Sequence, residues 1–164
     1  MASILKVDEI QSTSGGGVKF PTRPAFSVFL NAATAQSDFT TETDAPFDTK
    51  DFDIGNNVAI SNNAVFTAPV TGIYQFNFVM SFSNVTAAAH INTYLHIDGA
   101  RVGNDADLSY RNIEDPEGAT YHTNSSAFLI QLTASQTVKP RFTISTDTSA
   151  SVRQGARFSG FLVG

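Results

Sequence analysis

Along most of the chain, apolar and polar positions take turns one by one. Tyr74, Phe76, Phe78, Met80 and Phe82 form the clearest run, with Gln75, Asn77 and Ser81 between them. On a helix these side chains would scatter around the axis, whereas on a strand they line one face. Phe26, Val28 and Leu30 alternate likewise, as do Ile91, Thr93, Leu95 and Ile97. Phe128, Ile130 and Leu132, then Val138, Phe142 and Ile144, continue the pattern. Turn-forming clusters separate these runs: residues 53–57, 61–63, Asp98-Gly99, Asp115-Pro116-Glu117-Gly118 and Thr133-Ala134-Ser135. No stretch has the period of an amphipathic helix. The pattern predicts an all-β chain, built as a sandwich or jelly roll of many short antiparallel strands.

The first twenty residues read differently. Ile4, Leu5, Val7 and Ile10 sit in a short apolar-bearing segment, followed by Ser12-Thr13-Ser14 and Gly15-Gly16-Gly17. The glycines predict a flexible joint, and Pro21 and Pro24 a stiff entry to the first alternating run. We therefore divide the chain into a short extended N-terminal arm with its joint, 1–20, and a globular head, 21–164. So short an arm cannot bury its own apolar residues and needs its own trimer mates or a separate docking surface. Lys6, Asp8 and Glu9 interrupt the segment at once, so it does not read as a secretory signal. No apolar run approaches the ~20 residues of a membrane span, and there is no Gly-X-Y tract.

Composition narrows the function classes. At 164 residues the chain suits one domain, and 14 Phe with a 41% hydrophobic fraction argue for a folded core. Charged residues make up only 15%, which suits hydroxylated strand faces, extracellular exposure or burial in an assembly. A net charge of -5 with scattered basic residues gives no footprint for nucleic acid. With no cysteine, disulfides, thiol nucleophiles and thiolate metal sites are excluded.

Several segments, in order, resemble one family. They are Phe26-Ser27-Val28-Phe29, Phe66-Thr67-Ala68-Pro69 with Gly72-Ile73-Tyr74-Gln75-Phe76, and the closing Phe158-Ser159-Gly160-Phe161-Leu162-Val163. Together they are similar to the globular head of complement component one, subcomponent q, and its tumour necrosis factor relatives, over roughly residues 24 to 164. Here Pro69 is expected to end one strand, Gly72 to permit a turn, and Tyr74 and Phe76 to open the next strand facing the core. Where the family places a Gly-Asp turn after the strand ending at Leu132, this chain has Ser135-Gln136. The resemblance implies a jelly roll of about ten strands in two sheets, a homotrimer and a binding rather than catalytic role. It also implies first and last strands side by side. The arm, Ser3-Ile4-Leu5-Lys6-Val7-Asp8-x-Ile10-Gln11, resembles the start of bacteriophage fibre, tail and head-decoration proteins. The alternative for this segment is an ordinary leading strand that pairs with the head.

Candidate chemistry is sparse. Core positions are expected at Phe26, Phe66, Tyr74, Phe76, Phe78, Phe82 and Phe158. His90, Tyr94 and His96 share one strand face; the two histidines lie roughly 20 Å apart, too far to share an ion within one chain. At a threefold contact they could instead form a trimer face or a metal site, or simply be polar contact residues. Asp105 and Asp107 carry hard oxygens at a spacing calcium accepts, and Asp48, Asp51 and Asp53 form a second acidic group. No nucleophile elbow, zinc-protease motif or phosphate loop is present. Asn84-x-Thr86 and Asn124-x-Ser126 have glycan-acceptor spacing. The leading expectation is a non-enzymatic bacteriophage virion protein, a trimeric knob or fibre head. It would dock on a capsid or tail protein through its arm and contact a host-surface glycan or protein. The loops around 31–46 and 103–118 are its candidate contacts. The alternative is a secreted or cell-surface trimeric head that binds protein or glycan.

Overall fold

The computed structural model describes residues 23–61, 63–85, 90–102, 121–145 and 149–163, with residues 110–113 as backbone. No helix occurs among them. Thirteen strands follow one another: β1 (Ala25–Phe29), β2 (Thr43–Asp44), β3 (Thr49–Ile54), β4 (Val58–Ala59), β5 (Val65–Thr67), β6 (Gly72–Ser83), β7 (His90–Ile97), β8 (Ala100–Arg101), β9 (Tyr110–Ile113), β10 (Tyr121–Leu132), β11 (Thr137–Ser145), β12 (Ser151–Val152) and β13 (Arg157–Leu162). Four of them, β2, β4, β8 and β12, are two residues long and too short for alternation to mark.

All pairings are antiparallel and fall into two sheets. Sheet one runs β10-β6-β13-β1-β3, with β12 also against β6. Sheet two runs β4-β5-β11-β7-β8, with β2 beside β11 and β9 beside β7. The first and last long strands are neighbours: β1 pairs β13 from Ala25↔Phe161 to Phe29↔Arg157. The chain therefore enters and leaves at one end of the sandwich, tied there by Leu162 N–H donating to the Pro24 carbonyl at 3.0 Å. Among the described residues the second edge of β10 has no strand beside it, and its twelve residues carry no Asp, Glu, Lys or Arg.

The inward positions of both sheets meet in an aromatic core. Phe26, Phe66, Tyr74, Phe76, Phe78, Phe82 and Phe158 are all buried. Phe26 stacks on Phe66 at 5.0 Å and meets Phe158 edge-on at 5.1 Å, joining the two sheets. Such ring pairs contribute about 0.5–1.5 kcal/mol beyond the area they bury. Each Phe also removes a large apolar surface from water, so β6, with five buried side chains at alternate positions, anchors sheet one.

Local chemistry sets the turns. Asp98 and Gly99 both adopt left-handed backbone, φ 50° and 82°, and close the β7–β8 hairpin, as an Asp-Gly pair allows. After Leu132 the left-handed position is Ser135, φ 74°, and the Gln136 side chain accepts from Thr133 N–H at 2.8 Å. This is how Ser-Gln replaces a Gly-Asp turn. Gly72 differs from the sequence expectation: it already lies in β6 without left-handed backbone, and the reversal falls on 68–71. There the buried Tyr74 donates from its hydroxyl to the Val70 carbonyl at 2.7 Å.

Candidate interaction surfaces

The two sheets turn very different faces outward. On sheet one the register lines up Leu129, Gln75, Phe161, Ala25 and Ile54 in one row across five strands. The next row is Ala127, Asn77, Ser159, Ser27 and Phe52. Leu129 is 64% exposed and Phe161 45%; Ile54, Phe52, Ile73 and Val163 are also open to solvent. Ser125, Ala127, Asn77 and Val79 form a shallow depression beside them, about 330 Å³. Charge enters this face through Arg157 and Asp51, which pair with each other and with Ser27. At the end remote from the chain termini, Arg153 stacks over the Tyr121 ring at 3.9 Å. The apolar rows lie at the end where the chain enters and leaves.

Sheet two is charged outside, and Glu42, Asp44, Arg101, Lys139 and Arg141 are matched within the chain. Glu42, just ahead of β2, reaches across β11 to β7. It pairs with His96, with Arg101 at 2.8 Å and with Arg141 at 3.5 Å. Arg141 also donates to the Glu42 backbone carbonyl and forms an ion pair with Asp44, which Lys139 joins. Burial pushes the Glu42 carboxyl up. The Arg101 hydrogen bond and the charges of His96 and Arg101 outweigh burial and hold it below its usual range. Tyr94 lies under the Arg101 guanidinium at 4.0 Å, and its hydroxyl meets Thr143 at 3.2 Å. Thus Tyr94 and His96 are buried against their own chain, while His90, at the other end of β7, remains half-exposed.

The acidic group 48–53 splits three ways: Asp48 precedes β3, and the register shift that leaves Asp51 as an extra residue between Lys50 and Phe52 turns Asp51 and Asp53, two positions apart, to opposite sides. Asp48 accepts from Asn31 N–H and the Thr49 hydroxyl. Asp51 faces Arg157 and Ser27. Asp53 turns inward at the β3–β4 corner and accepts from Lys50 at 2.7 Å and from the N–H groups of Asn57 and Val58. Burial pushes the Asp53 carboxyl up, but these donors more than offset it and leave it lowered. The three do not converge, and no group of three or more potential ligands forms among the described residues. Asp105 and Asp107, and the arm residues Ile4, Leu5, Val7 and Ile10, lie outside the described residues.

Two features escaped the sequence. Residues 31–46 do not form a free loop: Thr34, Ser37 and Ala45 bond to Val152, Ala150 and Pro140, and Phe39 and Ala45 are buried. The first half of β10 points polar side chains inward. His122, Asn124 and Ser126 are buried, Asn124 and Ser126 bond to Thr93 of β7, and Asn124 donates to the Ile91 carbonyl at 3.3 Å. At 3% exposure Asn124 cannot carry a glycan in the folded protein, whereas Asn84 is open. Counting back by twos from Phe128 was the available signal.

No family model matches the chain, and no curated protein matches its sequence. Solved structures do. The globular domain of zebrafish complement 1qA protein superposes with a TM-score of 0.63 at 22% identity, covering 87% of this chain and 98% of that one. Murine APRIL superposes with a TM-score of 0.58 at 14% identity, covering 86% and 99% respectively. The fold is therefore the jelly roll of the complement 1q and tumour necrosis factor type.

Proposed function

We propose that this chain is a non-enzymatic recognition head that works as a homotrimer. Its subunits close through the outer face of sheet one, and its rims bind an extracellular protein or glycan. The observation that carries the reading is the contrast between the two outer faces. Among the described residues sheet two pairs Glu42 and Asp44 with Arg101 and Arg141, whereas sheet one leaves Leu129, Phe161, Ile54 and Ile73 in water with small residues between them. Exposed apolar arrays of this kind mark interaction sites, and obligate interfaces bury on the order of 2,000 Å² or more. Of the sequence candidates for a subunit face, Tyr94 and His96 spend their polar atoms within the chain, leaving His90 as the one with spare capacity at a rim. Fold likeness to the complement 1q head and APRIL supports the trimer by analogy. Sedimentation of the purified protein tests it: a mass three times that of the chain is expected, and a stable monomer at micromolar concentration overturns it.

A second setting for such a head is a bacteriophage particle, favoured by the sequence of residues 3–11. There Ile4, Leu5, Val7 and Ile10 would dock on a capsid or tail protein, and calcium at Asp105 and Asp107 would order a contact loop. Because β1 and β13 are neighbours, an arm ahead of β1 would leave from that end, with the Tyr121 end pointing away. Removing residues 1–17 should leave a trimer that no longer joins its particle, and a chelator should lower the melting temperature if calcium is held. Unchanged incorporation or an unchanged melt would dismiss the respective part.

A further inference from the structure

Where the edge of sheet one, β3, meets the edge of sheet two, β4, a cavity of about 550 Å³ opens to solvent. Its volume lies within the range that holds small ligands. Lys50, Asn56, Asn57, Ser61 and Thr67 supply its polar wall, with Ala59 and Ile60 as its apolar part. Almost every polar group there has a proton to donate. Lys50 has three ammonium protons; Asp53 takes one at 2.7 Å and Asn56 Oδ1 another at 3.2 Å, leaving the third. Since an ammonium only donates, Asn56 must turn its carbonyl oxygen to Lys50, and its NH₂ group faces away with both protons. Asn57 donates one amide proton to the Ile54 carbonyl at 3.0 Å and keeps the other. The carboxylate behind the wall, Asp53, is 5% exposed and already accepts from Lys50, Asn57 N–H and Val58 N–H.

This wall is preformed. Gly55 and Asn56 hold consecutive left-handed conformations, φ 93° and 55°. A Cβ on Gly55 would come within 2.6 Å of the Asn57 amide nitrogen, so only glycine leaves that donor in place. The balance of groups selects the ligand. One ammonium, partly neutralised by Asp53 in a chain of net charge -5, cannot match a dianionic phosphate but can match a single carboxylate. Neutral amide and hydroxyl donors fit ring hydroxyls, and Ala59 with Ile60 fits a C–H face. We infer that this corner binds an acidic sugar residue, uronic or sialic, of a glycan. The inference rests on the recognition-head reading and names its ligand class.

The test is a titration of isotope-labelled protein with glucuronate and, in parallel, glucose, on a sample whose mass in solution is also measured. Glucuronate should shift the side-chain amide signals of Asn56 and Asn57 saturably, and glucose about tenfold more weakly. Asn56→Asp keeps an oxygen for Lys50 and tolerates left-handed backbone, but replaces two donors with a charged acceptor. It should weaken glucuronate about tenfold or more with the melting temperature nearly unchanged. Equal response to both sugars, motionless amides, or full binding by the variant would overturn the site. A trimer with motionless amides removes the site and spares the recognition-head reading. A monomer that still binds glucuronate does the reverse.

Discussion

Gly160 lies where β13 passes against two core rings. A Cβ there would come within 2.6 Å of Phe76 and 2.8 Å of Phe26, inside contact distance. Those rings are packed from several sides and cannot step back, so Gly160→Ala should destabilise the fold by about 1–3 kcal/mol. Thermal denaturation reads it, and an unshifted melt would mean the rings have slack. Ser135 poses the opposite case. A side chain at φ 74° costs about 1–2 kcal/mol, while glycine gives back part of any gain through the unfolded chain. Ser135→Gly should therefore raise stability, by up to about 1 kcal/mol in urea denaturation. A loss would point to a contribution from the hydroxyl itself. At this scale the sequence showed Phe66, Phe76 and Phe158 as inward positions, because apolar residues mark the buried face of a strand. His122, Asn124 and Ser126 bear no such mark. Their inward orientation comes from strand register alone, and Thr93 is the partner that makes it tolerable for Asn124 and Ser126.

The β3–β4 corner and the Glu42 strap show what ties elements together. Both rest on carboxylates held below their ordinary values of 3.8 and 4.5. A depressed folded-state pKa contributes stability that is fully present above the unfolded value and is lost as pH falls through the folded one. The melting temperature should be level above about pH 5 and fall below about pH 4. Asp53→Asn should cost about 1–3 kcal/mol at neutral pH and make the acid-side decline shallower. An acid limb as steep as that of the parent would assign it to other groups. The strands of this region were only partly legible. The turn residues 53–57 announced a corner, but β2 and β4 are too short for a period. The partners of Glu42, more than fifty positions away along the chain, exist only once β7 and β11 lie side by side.

At the level of the whole molecule, alternation separates inside from outside but treats both outsides alike. The jelly roll was legible because turn chemistry and the Phe66-to-Phe76 segment fix where strands start and stop. The apolar array was not, since Leu129, Phe161, Ile54 and Ile73 come from four strands that only the sheet order brings together. Leu129→Asp places a charge at the most exposed apolar position of the proposed seam, where desolvating it without a partner costs several kcal/mol. The variant should sediment as a monomer with an unaltered β spectrum, because the side chain is largely in water in the single chain. A trimer that survives the change would move the seam elsewhere.

With no strand on its outer side among the described residues and no Asp, Glu, Lys or Arg in its twelve positions, β10 lacks the charged side chains that keep sheet margins from sticking to one another. A copy held too concentrated before its shape is complete would offer that margin to any extended neighbour. In the proposed trimer, prompt association would leave that margin less time to meet such a neighbour.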